Sequence, residues 1–121
     1  MLLAPGAWAV DVKALTDAAI KGDADAAMSL GTAYDLGDGV AADPQAALRW
    51  YEVAAGLGSV SAMFNVGVMY DAGTGTARNR VRAAHWYEQA AAHGHARAAY
   101  DLGLLYEEGE GVRRNLATAA R

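Results

Sequence analysis

The sequence predicts an all-α protein made of repeated helix pairs, and three observations support this. Alanine accounts for 30 of the 121 residues and phenylalanine for one. Because each alanine buries little apolar area, this composition suits close packing of helices better than the thick core of a β-sandwich. The sequence also repeats itself every 36 residues, and the apolar residues inside each repeat follow helical spacing.

Rare residue types make the repeat visible. Five of the six tyrosines fall into two columns of the 36-residue alignment, which random placement would not produce. The order Trp-Tyr-Glu at 50–52 returns at 86–88. Other aligned columns are Gly31, Gly67 and Gly103; Tyr34, Tyr70 and Tyr106; Gly37, Gly73 and Gly109; and Ala47, Ala83 and Ala119. Each repeat is therefore expected to be one structural unit.

The register divides the chain into five segments. Residues 1–10 form a lead-in, and 11–21 match the second half of a repeat, which predicts a single helix that caps the array. Full repeats follow at 22–57 and 58–93, and a truncated repeat occupies 94–121. The lead-in has no basic region before its apolar residues, so it does not resemble a signal peptide. We expect a cytoplasmic location, or a periplasmic one if a signal peptide has been removed.

Each repeat begins with a helix, helix A, which in the first repeat is predicted over residues 24–36. A glycine in the middle of a helix costs about 1 kcal/mol relative to alanine. Its return at Gly31 and its aligned positions predicts a compensating benefit, the close approach of the second helix. Helix A then ends in a Gly-x-Gly loop, Gly37 and Gly39 in the first repeat, where glycine adopts a left-handed conformation at no side-chain cost.

The second helix of each repeat, helix B, has an explicit start. Asp43, Asn79 and Asn115 occupy one column, and all three are favourable N-cap residues. Pro44 follows at the first helical position, where its missing N–H is harmless. The apolar stripe of the first helix B is Ala47, Trp50, Tyr51, Ala54 and Ala55. Its tryptophan and tyrosine are expected to supply most of the core volume.

Charge and composition exclude several classes of function. The net charge is -4, which disfavours binding to nucleic acid phosphates. The absence of cysteine excludes disulfides and cysteine-ligated zinc. No apolar run reaches the roughly 18 residues of a membrane-spanning helix.

Motifs for catalysis or cofactor binding are weak. His85, His93 and His95 have no third metal ligand placed by their spacing, and they are expected at the surface. The Gly-x-Gly loops lack the following Lys-Ser or Lys-Thr of a phosphate-binding loop. The segment 35–39 lacks the alternating carboxylates and closing Glu of a calcium loop. We expect no enzyme activity, no metal and no cofactor.

The repeat closely resembles the Sel1-like repeat, a relative of the tetratricopeptide repeat. The residues that carry the resemblance are Ala26, Leu30, Gly31, Tyr34, Gly37, Gly39, Val40, Asp43, Ala47, Trp50, Tyr51, Ala54 and Ala55. The resemblance implies a right-handed α-solenoid of antiparallel helix pairs that acts as an adaptor or scaffold in protein–protein assembly. One subgroup of the family has a disulfide in each repeat, and this chain cannot belong to it.

The resemblance also implies that helix A lines a concave groove. The residues of helix A opposite its packed stripe then describe a groove with an apolar floor and an acidic edge. They are Met28, Thr32, Asp35, Phe64, Asn65, Val68, Asp71, Tyr100, Asp101, Leu104 and Glu107. Such a surface favours a basic or amphipathic peptide segment as the partner, and Asn65 could bind the peptide backbone.

Other interpretations remain open at this point. The large residues Met28, Phe64 and Tyr100 could pack against each other between repeats, and the acidic column could be an ordinary solvated face. The chain could instead be an immunity or anti-regulator protein that inhibits one enzyme, or an enzyme such as has been claimed for some disulfide-bearing relatives. The unfinished third repeat, with Ala117, Ala119 and Ala120, could also support end-to-end self-association.

Overall fold

A computed structural model of the protein describes residues 11–109, and in this range the chain forms helices and no strands. The helices are α1 (Val12–Ile20), α2 (Ala24–Leu36), α3 (Pro44–Gly56), α4 (Val60–Ala72), α5 (Arg80–Ala92) and α6 (Ala96–Glu108). Helix A of the three repeats corresponds to α2, α4 and α6, and α1 is the predicted capping helix. The predicted lead-in 1–10 and the predicted helix at the end of the third repeat lie outside the described residues.

The chain divides into two compact units, the first ending at Ser59 and the second beginning at Val60. In the first unit, α2 packs against both α1 and α3. In the second unit, α5 packs against both α4 and α6. Each unit therefore contains one complete pair of helix A and helix B, together with one additional helix.

Carboxylate and amide side chains begin the helices as the sequence predicts. Asp43 precedes α3, and its Oδ1 accepts hydrogen bonds from the N–H groups of Gln45 and Ala46 at 3.1 and 3.2 Å. The side chain of Asn79 accepts from the N–H of Arg82 at the start of α5, at 3.0 Å. These bonds satisfy N–H groups that have no partner within the helix. The third residue of this column, Asn115, lies outside the described residues.

The Gly-x-Gly loops turn the chain back on itself. Gly37 and Gly39 have φ of 72° and 76°, in the left-handed region that the sequence predicts for them. After the loop, the N–H of Asp43 donates to the carbonyl of Tyr34 at 2.8 Å, so helix B begins beside the end of helix A and runs antiparallel to it. The third repeat differs, because Gly109 is extended with φ of -116°, and the remainder of its loop lies outside the described residues.

Tyrosine, and not tryptophan, provides the bulk of the core on helix B. Tyr51 and Tyr87 are 4% and 1% exposed, and the other buried residues of α3 and α5 are alanines apart from Leu48. Trp50 and Trp86 are only half-buried, so the expectation that they fill the core is wrong. The space left by the missing side chain of the helix A glycine faces the tyrosine ring. The tryptophan lies at the edge of the apolar stripe of helix B and remains partly exposed.

The glycine in helix A is required for this contact. A Cβ built at Gly67 would lie 2.6 Å from Cδ1 and Cε1 of the Tyr87 ring, closer than two carbon atoms can approach. A Cβ at Gly31 would collide with Tyr51 in the same way. The close approach of helix B predicted from the glycine column is therefore confirmed in both complete pairs. At Gly103, among the described residues, no atom lies within 4 Å of such a Cβ.

We predict that Gly67→Ala destabilises the protein. Overpacking against the Tyr87 ring costs about 1–3 kcal/mol, which outweighs the gain of about 1 kcal/mol in helix propensity. Urea unfolding followed by circular dichroism measures the difference. Gly56→Ala, at an exposed glycine with no atom within 4 Å of the added Cβ, is the matched control and should be neutral or stabilising. Equal stability of the two variants would contradict the role given to Gly67.

Candidate functional site

The three helices of the second unit line an open groove of about 380 Å³, here called the second-unit groove. Its apolar lining comes from α4 and α6: Phe64, Val68, Ala72, Leu104 and Leu105. Its charged lining comes from the same two helices: Asp71, Arg97, Asp101 and Glu108. Tyr87 of α5 reaches the groove from the core. The lining thus combines an apolar surface with three carboxylates and one guanidinium group.

The structure brings together part of the binding surface predicted from the sequence. Among those residues, the ones that line the second-unit groove are Phe64, Val68, Asp71, Asp101 and Leu104. Asn65, Tyr100 and Glu107 belong to the same unit but do not line the groove, and Tyr100 is 61% exposed. Arg97, Leu105 and Glu108 also line the groove and are not among the residues predicted from the sequence.

The remaining predicted residues lie on α2 of the first unit. Met28 and Thr32 are half-buried, and Asp35 is exposed near the end of the helix. The hydroxyl of Thr32 is 3.2 Å from the hydroxyl of Tyr51 and shares a hydrogen bond with it. Thr32 therefore has a structural role in its own unit, since it provides the partner of a buried tyrosine.

The second unit satisfies its buried tyrosine differently. Val68 stands at the repeat position of Thr32 and offers no hydrogen-bonding group. The Tyr87 hydroxyl instead donates to Oδ2 of Asp71 at 3.3 Å. Arg78 holds the same residue from the other side, because its Nε donates to the Asp71 carbonyl at 2.8 Å and its guanidinium lies 3.9 Å from Oδ1. These contacts fix a carboxylate at the end of α4, where the helix dipole alone would disfavour it.

The charges of the groove converge on the Tyr87 hydroxyl. Burial raises the pKa of this group, and the negative charges of Asp71 and Asp101 raise the pKa further. The hydrogen bond to Asp71 acts in the same direction, and the positive charge of Arg97 opposes it. Asp71 of α4 and Asp101 of α6 both line the groove with Tyr87, which is why the charges of both act on this hydroxyl.

Arg97 lies in the first turn of α6 and pairs with Asp101 one turn later. Its Nε donates to Oδ1 of Asp101 at 3.1 Å, and its guanidinium carbon is 5.8 Å from the centre of the Tyr100 ring. The Arg97 side chain is 68% exposed and that of Asp101 is 14% exposed, so the guanidinium is solvated and the carboxylate is largely shielded from water. The repeat alignment could have identified Arg97, because it is the basic residue in a column that otherwise contains Asp25 and Ser61.

Phe64, the only phenylalanine, is held in place by two neighbouring rings. It stacks on His95 with ring centres 4.5 Å apart and lies 5.8 Å from Tyr87. His95 is also the N-cap of α6, where its Nδ1 accepts from the N–H of Ala98 at 3.1 Å. His95 is half-buried, although a surface position is expected for it from the sequence. Its column, which precedes each helix A and contains Asp23, would have indicated a capping role.

Two further observations concern the described residues 11–109. None of the helices in this range is long and apolar enough to cross a membrane. In the same range, no three His, Cys, Asp or Glu side chains are grouped as metal ligands would be.

The fold and the groove define a helical-repeat protein with an open, predominantly acidic cleft. The family model of the Sel1 repeat matches residues 24–59, 60–95 and 96–121. The chain therefore belongs to the Sel1 repeat family, and its all-α repeat fold is the predicted one. These boundaries begin two residues after those derived from the glycine register. A search of curated proteins finds no match to the chain.

Solved structures of bacterial proteins share this fold. A protective antigen of uropathogenic Escherichia coli with an SLR fold is 36% identical, with a TM-score of 0.80, over 86% of this chain and 22% of its own. A Sel1 repeat protein from Oxalobacter formigenes is 39% identical, with a TM-score of 0.70, over 74% and 37%. Cysteine-rich protein B of Helicobacter pylori is 26% identical, with a TM-score of 0.72, over 75% and 68%. The chain thus spans less than half of the first two structures.

We predict that Tyr87 makes stability fall with increasing pH in the alkaline range. Its pKa is raised in the folded state, so above its ordinary value of 10.0 the unfolded chain loses the proton first and the free energy of unfolding decreases. Tyr87→Phe should reduce this decrease between about pH 9 and about pH 11.5, measured by urea unfolding. Tyr100→Phe removes a phenol from an exposed position and is the control. An equal effect of both substitutions would contradict the prediction.

Proposed function

We propose that this protein is an interaction module that binds a basic, amphipathic segment of a partner protein in the second-unit groove. Sel1 repeat proteins are generally protein-interaction modules, and their fold is typically a non-catalytic scaffold. The observation that carries the proposal is the composition of the groove, in which an apolar surface is bordered by three carboxylates and one guanidinium. We further propose that the protein acts without catalysis.

The groove suits a segment that presents apolar and basic side chains together. Its volume of about 380 Å³ accommodates several side chains. Phe64, Val68 and Leu104 offer apolar contact area, whose burial favours association. The surplus of negative charge in the lining attracts a basic partner and opposes an acidic one. The net charge of the chain, -4, acts in the same direction at longer range.

Phe64 is suited to anchor the partner. Its ring is half-buried, and contacts with His95 and Tyr87 keep it in one orientation. A ring that is already ordered loses little conformational freedom when a partner covers it. Val68, at 38% exposure, extends the apolar surface along α4. The carboxylate of Asp71 follows at the end of the same helix, so α4 presents both the apolar surface and a negative charge to the proposed partner.

We predict that the groove selects basic over acidic peptides. The probes are two pools of 9-residue peptides, random in leucine, serine and either arginine or glutamate, and the measurement is retention on the immobilised protein by mass spectrometry. We expect arginine peptides to be retained, and the double variant Phe64→Ala, Asp71→Lys to weaken their binding about tenfold or more. Unchanged binding by the double variant, or preferential retention of the glutamate pool, would contradict the proposal.

Two controls separate binding from folding. Glu88→Lys makes the same change of charge at an exposed position of α5 outside the groove lining, and it should leave retention nearly unchanged. Asp71→Asn removes the negative charge but keeps an oxygen that can accept from the Tyr87 hydroxyl. It should remain folded by circular dichroism and still weaken binding of the arginine peptides.

A further inference from the structure

Arg97 is an unusual residue in the second-unit groove. It lies in the first turn of α6, where the helix dipole disfavours a positive charge. The corresponding positions of the other repeats are Asp25 and Ser61, so the cation is particular to the third repeat. The guanidinium is nevertheless held in the groove lining by the carboxylate of Asp101. The chain thus supplies its own basic side chain to an acidic position of the groove.

Two carboxylates from different helices are positioned at this part of the groove. Asp71 of α4 is fixed by the Tyr87 hydroxyl and by Arg78. Asp101 of α6 is 3.1 Å from the Nε of Arg97. Both carboxylates line the groove together with Tyr87, and the ring centre of Phe64 lies 5.8 Å from that of Tyr87. The groove therefore combines two anionic acceptors with a flat apolar ring.

This combination matches the chemistry of a guanidinium group. Arginine presents several N–H donors in one plane, which suits paired carboxylate oxygens, and its flat face stacks on aromatic rings. A lysine ammonium would be attracted by the two carboxylates, but it has no flat face to stack on the Phe64 ring. The Arg97 side chain is 68% exposed and that of Asp101 only 14%, so the guanidinium covers a carboxylate that needs a cationic partner. An incoming arginine can replace Arg97 at that carboxylate without leaving the charge unpaired.

We propose that Asp71 and Asp101 form a subsite for one arginine side chain of the bound segment, and that Arg97 competes with that side chain for Asp101. The proposal rests on the function proposed above and makes it more specific. Arg97 therefore lowers the affinity for the bound segment, although its side chain lines the groove. The occupant is a protein segment in which an arginine is adjacent to apolar residues.

The test uses the arginine peptide most strongly retained from the pool described above. The peptide is resynthesised with citrulline, an uncharged isostere, at each arginine in turn, and affinity is measured by fluorescence anisotropy. We expect one citrulline substitution to weaken binding about tenfold and the others to have small effects. Asp101→Asn should weaken the parent peptide and leave the affinity for that citrulline peptide unchanged.

Variants of Arg97 test the competition. Arg97→Gln should increase affinity for the arginine peptide about threefold or more, with little effect on the citrulline peptide that binds weakly. Arg49→Gln removes the same charge from an exposed position on α3 and should have a smaller effect. Loss of affinity in Arg97→Gln would overturn the competition, and equal binding of all citrulline peptides would overturn the subsite. Retention of no peptide from either pool would overturn the proposed function and the subsite together.

Discussion

The contact between a tyrosine ring and a glycine on the facing helix is the interaction on which the rest of this structure depends. A core made largely of alanine has little volume to keep two helices in register, so a large ring must be accommodated at the point of closest approach. The absence of a Cβ at Gly31 and Gly67 creates that space for Tyr51 and Tyr87. The same contact determines that tyrosine is buried and that the neighbouring tryptophan remains half-buried.

Burying a tyrosine ring also creates a requirement for its hydroxyl, which needs a polar partner when it leaves water. The first unit meets this requirement with the hydroxyl of Thr32. The second unit has Val68 at that position and meets the requirement with the Asp71 carboxylate. One exchange between repeats therefore makes the groove more apolar along α4 and leaves the tyrosine hydroxyl to the carboxylate at the end of the helix, which the first repeat also has as Asp35. The hydrogen bond from the core tyrosine then fixes the position of this carboxylate in the groove.

The groove also shows how a repeat protein acquires an individual site. The residues shared by all repeats form the helices, loops and core, whereas Val68, His95 and Arg97 depart from the repeat and contribute to the groove or its support. A binding surface on such a scaffold combines varying positions with recurring positions that packing does not occupy, such as the acidic column that contains Asp71. Membership of the Sel1 repeat family explains the recurring positions, and the varying ones carry the proposed specificity.

The sequence by itself determined the helices, their order and the N-caps of α3 and α5, because local spacing, glycine loops and N-cap residues act over a few neighbouring residues. It also indicated the glycine contact and five residues of the groove, since helical periodicity places them on one face. Only the tertiary structure decided that Tyr87 bonds to Asp71, that Arg97 and Glu108 join the groove, and that His95 supports Phe64. These relations depend on which side chains of different helices meet in space, and periodicity along a single helix does not contain that information.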